Sequence, residues 1–452
     1  MGNFPSKTEK SCATGNLSFR QMTTDSRSIA ILGGGIAGLS LAYFIGEDCE
    51  ILEKSQQCGG LCRSFQKDGL TYDLGGHVVF SSDKEILNLD LELLQGNVEK
   101  HVRKNAIWYN KKLVKYPFEN NLAALDKEDL FDCLWSFLNN PQRPQRNFED
   151  WMYNQFGRGI TERYLLPYNQ KIWKLTPRSM ACDWVERIPK PPAEDVLKSA
   201  VGIATEGNLE QLNFFYPAAG GFQALPEAIE KSVRSKITRG FNVQRVRKRH
   251  DKWIVSGHSG DHEYSQLIST IPLPSLLAIL DEAPANVASA ARALKHNSLI
   301  VVMLGVREPN SSGQFGVYFP QDDLLFHRVC FYNFFGQQNE AGASPVVAEI
   351  TANEGDSTWS KSDEQIIEQV IQGLGKEGFI KRSDVLTTEL RRVRHAYVVY
   401  DLTRSQNLRI VNDYLDSIGL HRCGRFAEFR YINSDAVMRS AKNLAAKLGF
   451  SA

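Results

Sequence analysis

The sequence predicts an α/β fold. A parallel-sheet domain, assembled from separated stretches of chain, is interrupted by a helical domain and an antiparallel sheet. Three observations predict it. An apolar run, a glycine turn and a helical period follow one another over residues 28–45. Residues 120–205 carry apolar side chains at helical spacing. Residues 298–351 hold a series of short strands.

In the first of these stretches, "IAIL" reads as a strand covered on both faces, because alternation is lost when neither face meets water. Gly33, Gly35 and Gly38 then spell G-x-G-x-x-G, and "IAGLSLAYFI" continues at helical period. "CEILEKS" supplies a second strand reaching Glu53, fifteen residues beyond the last glycine. Strand, glycine turn, helix, strand and acid together make a Rossmann-type dinucleotide site. One glycine makes the turn, one admits a pyrophosphate, and one lets helix pack on strand. The helix N-terminus offers free N–H groups to the phosphates, and Glu53 accepts from a ribose hydroxyl.

Residues 120–205 contain two amphipathic helices, "LAALDKEDLFDCLWSFL" and "NFEDWMYNQFGRGITERYL", separated by the loop "PQRPQ". "FNVQRVRKRH", "KWIVSG" and "YSQLISTIP" read as strands over 241–271, the last returning to the parallel sheet. The basic run "RVRKRH" reads as a solvated strand face. "SLIVVMLGV", "FGVYFP", "RVCFYNFF" and "VVAEIT" form the antiparallel sheet. The last helix, "SDAVMRSAKNLAAKLGF", carries Asp435 near its start and aims its N-terminus at the cofactor. The expected domains are 26–95 with 215–285 and 408–452 for the cofactor, 120–205 for the helices, and 100–118 with 286–405 for the sheet. Residues 1–25 are expected to form a polar tail. Gly2 and Ser6 there fit a myristoylation pattern only in the formal sense that short motifs often do.

The 452-residue chain has a net charge of +1, so no global field draws it to nucleic acid or an anionic membrane. An anionic ligand would need local arginines. No apolar run is long enough to span a bilayer. The eight cysteines contain no CxxC pair, which predicts free thiols in a reducing, cytoplasmic setting and no metal site.

After Glu53, Gly59 and Gly60 precede Arg63 and Ser64. This resembles the second glycine motif of FAD enzymes of the amine oxidase and protoporphyrinogen oxidase superfamily, and implies FAD. "YDLGGHVVFSS", with Gly75, Gly76 and His77, is similar to the histidine loop of the UDP-galactopyranose mutase family, particularly its eukaryotic type. "VKYPFENN", "PYNQKIW", "WVERIP", "FFYPAAGGFQALPEAI", "FHRVC", "RHAYVVYDL" and "GRFAEFRYINSDAV" follow in the order of that family.

The resemblance implies exchange between pyranose and furanose rings of a nucleotide sugar, UDP-galactose first. The nucleophile implied is N5 of reduced flavin, with NAD(P)H a possible reductant and a homo-oligomer possible. His77 would face the flavin, and Gly75, Gly76 and Gly221 would lie against it. Arg187 and Arg328 would clamp the diphosphate, with Arg425 near flavin and sugar. Tyr318, Tyr397 and Tyr431 would add hydroxyls to the diphosphate. Asn169 and Trp173 would belong to the substrate helix, and Tyr116 and Phe118 would sandwich the base. Three positions depart from the family. Glu119 stands where glutamine is usual, and it either reads a base other than uracil or turns to Lys115. Phe334 or Phe335 replaces a tyrosine, and Val398 replaces a proline.

Overall fold

The computed structural model describes residues 28–450 except 186, 187, 189, 208, 210 and 211. The tail at 1–25 and Arg187 therefore lie outside the described residues. Five parallel strands form the first sheet, in the order 420–422, 266–269, 29–32, 49–53 and 236–239. Strand Ile29–Leu32 is central and fully buried, as its unbroken apolar run requires. Helix Ile36–Ile45 packs on this sheet and against the C-terminal helix Ser434–Lys447.

A three-stranded antiparallel sheet, 243–249, 252–257 and 260–264, is inserted before the return strand 266–269. Most of the basic run lies on its exposed side, where Arg245 pairs with Asp281 and Arg247 with Asp261. The largest sheet has seven strands, in the order 385–398, 296–307, 343–352, 328–331, 316–318, 105–109 and 112–115. It is antiparallel but for one pair, 316–318 with 105–109, which joins distant parts of the chain. One face of this sheet turns to the main core. The other builds a second core beneath helix Asp363–Lys376, which starts with a capping box at Ser362 and Gln365.

In the helical region, Lys127–Leu138 packs on Phe148–Ile160 at very short range. A Cβ at Gly157 would sit 2.3 Å from the Ser136 carbonyl oxygen, and one at Gly159 would sit 2.6 Å from Cys133 Cα. Gly157 has φ of +71°, so the helix kinks there, a break that helical period alone does not disclose.

Asp90, on helix Lys84–Leu94, is 1% exposed, and its Oδ1 has no hydrogen-bond partner among the described residues. Burial, then the Asp435 carboxylate, push it up to about 8. The folded chain therefore holds a proton that the unfolded chain releases near pH 4. Between pH 4 and 8 this site makes stability fall as pH rises, by up to ~1.4 kcal/mol per pH unit. Asp90→Asn removes that contribution. Melting curves at pH 5 and pH 8 should show the variant gaining on the wild type at the higher pH.

Candidate active site

The glycine turn places three backbones within contact of one another. Gly33 has φ of +100° and donates its N–H to Leu52 O. A Cβ on Gly38 would lie 1.9 Å from Gly33 O, so the helix can reach the turn only because that position has no side chain. Gly38→Ala should fold around a displaced helix and purify without its dinucleotide cofactor, which absorbance of the pure protein would show. Glu53 Oε2 accepts from Gly34 N at 2.6 Å and Oε1 from Ser55 N at 2.8 Å, which fixes the carboxylate at the cavity wall.

The second glycine pair rests on the first. Gly59 donates to Gly34 O at 2.8 Å, and a Cβ on Gly60 would meet Gly35 Cα at 3.2 Å. Arg63 is tied back to Gly60 O through Nε at 3.1 Å. Gly33, Gly35, Glu53, Gly60 and Arg63 line a cavity of about 860 Å³ that extends to Gly76, His77 and Arg425. The uncapped N-terminus of helix Ile36–Ile45 opens on it through Ile36 and Ala37. These residues fit an elongated dinucleotide. Gly38 stands behind the wall as a packing residue. Gly221 also stands behind it, against Ser64 and Asp73, and Phe222 is the residue that faces the cavity. Asp435 accepts from Ser81 Oγ at 2.6 Å, while Asn433, Ser434 and Val437 supply that stretch of wall.

Two buried acids hold the histidine loop. Asp73 accepts from Ser64 Oγ (2.6 Å), Tyr216 OH (2.7 Å), Phe222 N (2.9 Å) and Tyr332 OH (3.1 Å). Glu349 is fully buried, accepts from Gly76 N at 2.9 Å, and receives the fork of Arg328 at 2.8 Å from both Nε and Nη2. Tyr397 OH donates to it at 3.3 Å. Arg328 and Glu349 are directly opposite one another on neighbouring antiparallel strands. His327 lies 3.8 Å from the same carboxylate, but burial holds it well below its usual range, so it stays neutral. Neither acid is among the sequence-predicted site residues. The one cue for Glu349 is a lone charge inside the apolar run "VVAEIT".

Gly75 has φ of +109°, and a Cβ on Gly76 would lie 2.6 Å from Cys330 Sγ. The need for glycine at 76 thus comes from the protein's own Cys330 and Arg328. His77 stacks on Phe222 with centroids 5.1 Å apart and faces both cavities. Its Nδ1 is shielded and has no partner among the described residues. Burial, helped by the Arg425 and Arg328 charges, pushes the imidazole down to about 3, so it is neutral at physiological pH.

A second cavity of about 360 Å³ meets the first at Gly76, His77, Arg328, Arg425 and Tyr431. Tyr116, Glu119, Asn169, Trp173, Tyr318 and Tyr397 all line it. Asn169 accepts from Trp173 Nε1 at 3.0 Å, which sets both side chains. Arg425 donates to Ile432 O at 2.7 Å and carries no carboxylate partner among the described residues. Arg103 lines the larger cavity, with its guanidinium 5.4 Å from the Tyr116 ring and, among the described residues, a hydrogen bond to the Glu206 carbonyl.

Phe118 does not reach this cavity. It is buried behind Tyr164, stacked at 5.3 Å, and Tyr164 is the ring that lines the cavity. The sequence places Phe118 in the short helical turn Phe118–Asn120, which rotates it inward. Lys115 pairs with Glu206, not with Glu119. Phe334 and Phe335 belong to an aromatic cluster, Phe335 lying flat on Tyr216 at 4.2 Å.

A dinucleotide cleft that shares a wall with an arginine-bearing chamber defines an enzyme that presents its cofactor to a bound substrate. The chain belongs to the flavin-containing amine oxidoreductases, whose family pattern matches residues 36–407. A reduced UDP-galactopyranose mutase crystal structure superimposes with a TM-score of 0.86 over 94% of each chain, at 24% identity. Curated relatives match over shorter stretches. A zeta-carotene-forming phytoene desaturase from Myxococcus xanthus is 40% identical over 13% of this chain and 12% of its own length. An L-amino-acid oxidase from Pseudechis australis is 22% identical over 50% of this chain and 46% of its own. Among the described residues no helix is long and apolar enough to cross a membrane.

Proposed function

We propose that the protein is a flavin-dependent nucleotide-sugar mutase that interconverts pyranose and furanose forms, with FAD in the larger cavity. UDP-galactopyranose and UDP-galactofuranose are the reference pair, and NAD(P)H is a candidate reductant. The observation that carries this reading is the junction of the two cavities, where Arg328 and Arg425 gather beside the Tyr318 and Tyr431 side chains. Glu349 offsets one of these charges, which leaves the junction cationic.

Bound and reduced, the flavin supplies the nucleophilic electron pair for exchange at an anomeric carbon. The chain's residues supply the rest. Arg328, held flat by Glu349, and Arg425 bind the diphosphate and stabilise the charge it gains as the anomeric bond breaks. Arg187 is the second clamp residue expected from the sequence. Tyr318, Tyr397 and Tyr431 donate hydroxyl hydrogen bonds to the same group. The aromatic walls exclude water that would hydrolyse an activated sugar. Neutral His77 adds no positive charge beside the flavin, and its free Nδ1 faces shielded space.

A second reading is an oxidase or desaturase, which the names of the curated relatives favour. The two arginines at the junction would then bind a substrate carboxylate. An oxygen electrode separates the readings. Oxidised protein in air should consume no oxygen with amino acids or amines. Steady consumption with either would support the oxidase.

A further inference from the structure

One carboxylate in the substrate chamber has no side-chain donor among the described residues. Glu119 is 6% exposed and lines the cavity beside Tyr116, Pro117, Tyr164 and Leu165. Its side chain meets only its own backbone N–H among the described residues, and burial pushes its carboxyl up to about 7. Lys115, three residues after which the short turn Phe118–Asn120 begins, is occupied by Glu206 and Thr205 O. A desolvated carboxylate short of donors costs free energy, and a ligand that brings more of them recovers part of it.

The wall around Glu119 is aromatic. Tyr116 and Tyr164 line it, and Arg103 lies over Tyr116. Two parallel acceptor oxygens select an edge with two adjacent N–H donors. Uracil offers one N–H between two carbonyl oxygens, so an oxygen would face the carboxylate. Cytosine and adenine each set an amino group beside a bare ring nitrogen. Guanine alone among the common bases sets a ring N–H beside an amino group.

We propose that Glu119 binds the N1–H and N2 amino group of guanine, so that the substrate is a guanine-nucleotide-linked sugar. This rests on the nucleotide-sugar reading above and names its base.

The test is calorimetric titration of the flavin-loaded protein with GDP and with UDP at pH 8, repeated with Glu119→Gln. GDP should bind the wild type at least about ten-fold more tightly than UDP. Glu119→Gln, whose amide both donates and accepts, should erase or reverse that ratio with flavin content unchanged. UDP binding as tightly as GDP, or a ratio unaltered in the variant, would overturn the guanine assignment and leave the mutase reading standing. Failure of both nucleotides to bind at millimolar concentration would overturn the two together.

Discussion

Arg328→Ala should keep its flavin absorbance and lose turnover by on the order of 100-fold or more. The guanidinium stands at the junction of the two cavities, where the departing diphosphate gathers charge. Its fork on Glu349 fixes the plane, so position as well as charge is lost. Arg328→Lys separates these contributions. Lysine keeps the charge but lacks the planar two-nitrogen fork that pairs with the two oxygens of Glu349. It should recover substrate binding more than turnover. Steady-state kinetics with flavin-loaded protein would show the split. A turnover for Arg328→Lys equal to that of the wild type would mean that the planar fork has no part in catalysis.

Glu349→Ala should be the most destabilising single change at the site, by about 3–5 kcal/mol. It strands the Arg328 charge, removes the acceptor for Gly76 N–H, and releases the Tyr397 hydroxyl. The mechanism is the loss of a partner, so removing both partners should hurt less. The pair Arg328→Met with Glu349→Leu should melt above Glu349→Ala, although it has no activity. If the double variant melts lowest, the stability of this region comes from packing and not from charge pairing. Glu349→Ala should also loosen the histidine loop, visible as faster amide exchange at Gly76 and His77.

The parallel-sheet domain is legible because its chemistry is local. Gly33, Gly35, Gly38 and Glu53 lie within one strand–helix–strand unit, and Gly38 answers to a contact inside it, whereas Gly33 faces Thr270 and Ile271 and Gly35 faces Gly60 from outside. His77, Arg328, Arg425 and Tyr431 are identified by resemblance, and the fold brings them to one junction although they are far apart in the chain. Other features are hidden for physical reasons. Glu349 reads as a stray charge until the cross-strand register sets it opposite Arg328. Asp73 reads as a strand end until Tyr216 and Tyr332 arrive from remote segments. Phe118 sits next to Glu119, yet a single helical turn sends one ring into the core and the next carboxylate into the chamber. A spacing of two from Tyr116 would put both rings on one side only in an extended strand. Gly221 and Asp435 are expected at the cofactor from the sequence, and the fold sets both one layer behind the cavity wall.

The central claim is that this flavoprotein fold performs a ring exchange without net redox change. The direct measurement is an anaerobic incubation of the pure protein with the furanose forms of UDP-galactose and GDP-galactose, each with and without dithionite, followed by chromatography. The pyranose form of at least one nucleotide sugar should appear, only when reductant is present and without consumption of reductant per turnover. No pyranose from either compound, with flavin fully bound and reduced, would contradict that claim.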